Sequence, residues 1–137
     1  MMTQQEVVDF WAKSSDMDFN DMESMFKSKR YHWALFVGHL VIEKLLKALF
    51  VKNHGKETKM PFIHNLLLLA NKADLIISEK QKKQLSVFTE FNINARYQDY
   101  KFKFYKKCTK QYTAKHIKEI KEVRKWLKNQ IYPKPQE

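Results

Sequence analysis

The stretch YHWALFVGHLVIEKLLKALFVKN, Tyr31 to Asn53, decides the fold. Ala34, Gly38 (or Val37), Val41, Leu45 and Ala48 recur at three- and four-residue steps. Leu35, Ile42, Leu46 and Leu49 form a second stripe beside them. A helix apolar over that much of its girth must be central. Its polar positions are Lys44, the ends, and one face where His39, Glu43 and Lys47 recur every four residues. Asn53-His54-Gly55 reads as its stop, with Gly55 at the left-handed position.

Working outward, Gln4 to Ser28 predicts a helix, broken near Ser14-Ser15 and antiparallel to the central one. Val7, Val8, Trp11, Met22, Met25 and Phe26 give it an apolar side. Asp16, Asp18, Asp21 and Glu23 face water or a partner. After a charged loop from Lys56 to Pro61, a short helix runs from about His64 to Lys72. Ser78 starts another, because Gln81 three residues on completes a capping box. It carries Leu85, Phe88 and Phe91 and fades near Ala95. The next segment, ARYQDYKFKFYKKCTKQY, Ala95 to Tyr112, has no helical apolar stripe. It reads as a long ordered loop, and the alternation in Tyr100-Lys101-Phe102-Lys103-Phe104 also fits a short extended segment. Thr113 caps a last helix to about Ile131, with Ile117, Ile120, Val123 and Leu127 on one face and Pro133 and Pro135 after it. The expectation is an all-α bundle of about five helices, one domain over residues 1–137.

Composition removes several function classes. Only Gly38 and Gly55 are present, which leaves no P-loop and no GxGxxG. The single Cys cannot form an internal disulfide, and the five histidines show no metal-ligand spacing, so neither metal nor cofactor is expected. The opening MMTQQEVVDFWAK has neither the basic start nor the apolar run of a signal peptide. Apolar runs such as Leu66 to Ala70 are far too short to cross a bilayer, so no membrane partner is expected. The expected setting is soluble, reduced and cytoplasmic.

Charge points the other way, toward polyanions. Residues 1 to 43 hold four bases and seven acids, a net of −3, whereas residues 44 to 137 hold 22 bases and eight acids, a net of +14. A basic field of this size attracts nucleic acid or nucleotides. The acidic first half also permits head-to-tail association with a partner protein.

Four places can carry chemistry. His39 and Glu43, if their stripe lines a cleft, can share a proton; otherwise Glu43 and Lys47 are an ordinary helix ion pair. Arg96 is the only arginine between Arg30 and Arg124, and its planar fork of donors suits phosphate, with Asp99 or Glu43 as alternative structural partners. The aromatic residues Tyr97, Tyr100, Phe102, Phe104, Tyr105 and Tyr112 interleave with Lys101, Lys103, Lys106, Lys107 and Lys110, a pattern that stacks single-stranded nucleic acid or pins a loop on the core. Cys108 sits among lysines that favour its thiolate, yet no base adjoins it in sequence.

Three motifs in order, EKxxKA (Glu43, Lys44, Lys47, Ala48), His64 before a leucine run, and ARYQDY (Ala95 to Tyr100), make the chain resemble the HEPN domain. The resemblance implies an up-and-down helical bundle, a homodimer, binding of a nucleotide or RNA, and often a nucleotidyltransferase partner in a toxin–antitoxin pair. Many members are metal-independent ribonucleases whose motif is an Arg, a polar residue and, a few positions on, a His. Arg96 matches, but Tyr97, Gln98, Asp99, Tyr100, Lys101, Phe102 and Lys103 follow, and the next His is His116. The expected function is therefore a nucleotide- or RNA-binding homodimer lacking the complete motif, with a site built from Arg96, Glu43, Lys47, His39, Tyr97, Asp99 and Lys101. The alternatives are a ribonuclease toxin using Arg96, with Tyr97, Lys101 or His39 standing in for the missing His, and a non-catalytic interaction subunit.

Overall fold

The structure, a computed structural model, describes residues 1–135, with the side chains of Gln98 and Asp99 outside the description. It contains six helices and no strand among the described residues: α1 (Gln4–Lys27), α2 (Tyr31–His54), α3 (Leu66–Lys72), α4 (Glu79–Arg96), α5 (Gln98–Lys107) and α6 (Lys110–Ile131). More than half of the 24 residues of α2 are buried, and α2 touches all five other helices. Its leucines and valines each contribute about 1.5–3 kcal/mol of burial. Gly55 ends it at φ +90°, a conformation that disfavours any side chain.

Contacts fix the directions. Gln4 Nε2 donates to Lys52 O (3.2 Å) and Ser15 Oγ to Val41 O (2.7 Å), so α1 runs antiparallel to α2. Asn92 meets His39 while Arg96 lies over Phe36, so α4 is antiparallel to α2 as well. Lys52 Nζ donates to the carbonyls of Gln130 and Ile131 (2.9 and 2.7 Å), which places the ends of α2 and α6 together and makes them parallel. The long helices thus alternate up and down. At Gly38 three helices converge: a Cβ there would lie 2.5 Å from Ile120 Cδ1 and 3.2 Å from Met22 Sδ.

Several expectations change. The first helix is unbroken, because the buried Ser15 hydroxyl finds the Val41 carbonyl and is satisfied there. Residues 98–107, expected as loop or extended chain, are helix α5. The last helix begins earlier than expected, capped by Thr109, whose hydroxyl accepts from Tyr112 N; Thr113 lies buried inside it. The cap of α3 is Asn65, and Ser78 and Gln81 form the expected capping box on α4. The acids of α1 find bases in their own chain: Asp16 pairs with Arg124 and Lys128 (3.0 and 2.9 Å), Asp18 with Lys44 (2.7 Å) and Glu23 with Lys121 (2.8 Å). Much of the acidic half is therefore neutralised within the chain, against α6 above all. No described helix is long and apolar enough to cross a membrane.

Candidate functional site

The polar stripe of α2 faces inward, toward α4 and the segment ahead of α3. His39 is fully buried. Its Nε2 lies 3.0 Å from the His64 carbonyl, so that nitrogen carries the proton and donates it. Its Nδ1 then accepts from the Asn92 amide at 3.4 Å. Burial holds the His39 imidazole below its usual 6.5, against the upward pull of the His64 carbonyl and Glu43; Arg96 is near enough to push the same way as burial.

Glu43 is a buried carboxylate, a costly group unless it is surrounded by donors. Oε1 accepts from His64 Nδ1 at 2.7 Å and Oε2 from Lys47 Nζ at 3.5 Å. Lys47 also lies 5.1 Å from the Trp11 ring centre, a cation–π contact. A carboxylate at this distance requires the proton on His64 Nδ1 when the ring is neutral. The His64 ring is half-exposed.

Arg96 closes the last turn of α4, where a cation is favoured by the helix dipole. Nε donates to Asn92 O at 3.3 Å, four residues back. The guanidinium lies 6.0 Å from the Phe36 ring and 5.8 Å from that of Tyr97. Arg96 is exposed, and no carboxylate among the described residues pairs with it. One donor is engaged; the fork of Nη groups is open.

The structure therefore joins His39, Glu43 and Lys47 into one buried network and connects Arg96 to it through Asn92. Tyr97 stands beside Arg96, exposed, at the joint between α4 and α5. Lys101 lies further along, its Nζ 5.2 Å from the Trp33 ring. Asp99 falls outside the described side chains. His39 and Glu43 are buried, so they shape the site from behind instead of facing solvent. Two members are absent from the expected site. Asn92 sits between Phe88, Phe91 and Ala95 on the buried side of α4, a polar residue in an apolar stripe and hence a readable signal. Its Oδ1 is buried without a hydrogen-bond partner among the described residues. His64 is marked in the sequence by the leucine run after it, but its pairing with Glu43 comes only from the return of its loop onto α2.

Two other candidates resolve differently. Cys108 is buried, and burial pushes its thiol up to about 12 despite Lys107, so the lysines around it do not yield a thiolate. Among the described residues no group of three or more His, Cys, Asp or Glu is placed to hold a metal ion.

The model of the HEPN domain matches residues 8–130. The chain belongs to the HEPN domain family. Among solved structures, TT1696 from Thermus thermophilus has the same fold, with a TM-score of 0.74 over 89% of this chain and 96% of that one. The two are 17% identical. No curated protein matches the chain.

Proposed function

We propose that this HEPN protein binds the phosphate of a nucleotide or RNA at Arg96. The observation that carries the reading is the open guanidinium: exposed, steered by one bond to Asn92 O, flanked by two aromatic rings and unpaired with any described carboxylate. Such a fork suits the planar, bidentate recognition of phosphate. Tyr97 and Lys101 extend the surface, and the His39–Glu43–Lys47 network with Asn92 fixes the end of α4 from which Arg96 projects. The net charge of +11 favours a polyanion. Family membership supports a homodimer and a nucleotidyltransferase partner in a toxin–antitoxin pair as the setting.

The test is retention of nucleotides and RNA by wild type and Arg96→Ala, with light scattering for the dimer and co-expression with a nucleotidyltransferase for the partner. Loss of retention in a folded Arg96→Ala protein supports the site. Equal retention removes it.

One observation favours the ribonuclease as a second reading. Glu43 orients His64 with Nδ1–H inward, which leaves Nε2 as a base on a half-exposed ring. That supplies a His the motif after Arg96 lacks. Nε2 would take the proton of a ribose 2′-hydroxyl as its oxygen attacks the adjacent phosphorus. The 5′-oxygen then leaves, taking a proton from solvent, and the products are a 2′,3′-cyclic phosphate and a 5′-hydroxyl. Cleavage of total RNA in EDTA, abolished in both Arg96→Ala and His64→Ala, supports this reading, and intact RNA with wild type refutes it.

A further inference from the structure

Among its described side chains, helix α5 buries little. Phe104, 5.8 Å from the Phe91 ring, and Cys108 just beyond the helix anchor it to the core. Phe102 and Tyr105 are 72% and 62% exposed, unusual for rings on an ordered helix. Lys101 and Tyr105, and Phe102 and Lys106, are each four residues apart and share one face. With His32 from α2 they line a groove of about 270 Å³. A neighbouring hollow of about 300 Å³ shares His32, Tyr105 and Lys106 and adds Lys29.

This groove is connected to Arg96 by rings. The guanidinium lies 6.0 Å from Phe36, and Phe36 is 5.7 Å from Trp33. Trp33 is 5.1 Å from His32, and His32 is 5.3 Å from Tyr105. Lys101 stands over Trp33 midway. From Arg96 on α4 the track runs through the partly buried α2 rings Phe36, Trp33 and His32 to the exposed Tyr105 on α5, with Lys101 beside it at Trp33.

We infer that the α5 groove and the ring track leading to it hold the bases of a single-stranded nucleic acid whose phosphate sits at Arg96. This rests on the phosphate reading above. Every base has a face that stacks on an aromatic ring, and lysines beside the rings neutralise the backbone between bases. A duplex hides its base faces and cannot use exposed rings in this way. A second copy of this chain is a poor occupant. A twofold contact presses the same patch of both copies together, so the patch that carries Lys101, Lys103, Lys106 and Lys107 on one ten-residue helix would meet a second patch of like charge.

The experiment is a fluorescence-anisotropy titration of labelled oligouridylate, oligothymidylate and a duplex RNA of equal length. It compares wild type, Phe102→Ala/Tyr105→Ala, Phe102→Trp and Arg96→Ala, with sedimentation of each and with uridine monophosphate as a probe that reaches Arg96 alone. The expected result is a loss of about 10-fold or more for the unpaired strands in the double alanine variant. Phe102→Trp should keep the affinity, and uridine monophosphate should bind the double variant as it binds wild type. Oligouridylate binding tighter than oligothymidylate would assign the strand as RNA, and equal binding would assign the shared single-stranded chemistry. If the double variant binds unpaired strands as tightly as wild type while Arg96→Ala does not, the groove is overturned and the phosphate site stands. If the double variant weakens them and Arg96→Ala leaves uridine monophosphate binding intact, the groove stands and the phosphate site falls. Dissociation of a wild-type dimer by the double variant, or no oligouridylate binding by wild type, overturns the groove.

Discussion

His39 makes this fold sensitive to acid in a way that can be measured. Its ring is fully buried, Nε2–H serves the His64 carbonyl, and Nδ1 faces an N–H of Asn92. A second proton on Nδ1 would set two donors against each other. Burial depresses the pKa below 6.5, so the unfolded chain takes up a proton that the folded chain refuses. The His39 contribution is therefore complete above about pH 6.5 and is lost as pH falls toward the lower folded value. The loss is about 1.4 kcal/mol for each pH unit in that window. His39→Gln keeps an amide N–H for the His64 carbonyl but does not titrate. It should cost about 1 kcal/mol near neutral pH. The gap to wild type should narrow as pH falls below 6.5, because wild type alone loses stability there. Urea melts followed by circular dichroism at neutral and mildly acidic pH measure both curves, and acid effects common to both proteins cancel in the difference. A gap that stays constant with pH would refute the buried, neutral His39 described above.

Two further outcomes follow from burial and packing. Cys108, with its thiol pushed up to about 12, should resist iodoacetamide in the native protein and react within the same time in urea, as mass spectrometry will show; rapid native labelling contradicts its placement. Gly38→Leu must displace Ile120 and Met22 and should destabilise by about 1–3 kcal/mol in a urea melt, whereas an unchanged midpoint would contradict the three-helix convergence at that point.

How much of this the sequence displays depends on how much of each element is buried. Helix α2 has two apolar stripes and a glycine stop, so its boundaries and central place are legible from spacing alone. Helix α5 is not, because only Phe104 among its eight described side chains is buried while Phe102 and Tyr105 point out. Its pattern resembles an alternating strand, although the backbone bonds from Lys101 N and Cys108 N to carbonyls four residues back are helical. Local polarity at Ser14-Ser15 suggests a break, and a hydrogen bond to a residue 26 positions away overrides it. The site shows the same division. Spacing places His39, Glu43 and Lys47 on one face, and chain order puts Arg96 at a helix end. The pairing of Glu43 with His64 depends on a loop closing over α2, and no local pattern encodes that. Nor does local sequence reveal that α1's acids pair with α6 and Lys44.

The central claim is that Arg96 holds a phosphate through donors no other side chain occupies. Calorimetry comparing uridine monophosphate with uridine, on wild type and Arg96→Ala, separates the phosphate contact from every contact to base and sugar. Wild type should prefer the monophosphate, and Arg96→Ala should lose that preference, by about 1.5–3 kcal/mol, with uridine unaffected. A preference that survives in Arg96→Ala would contradict the claim.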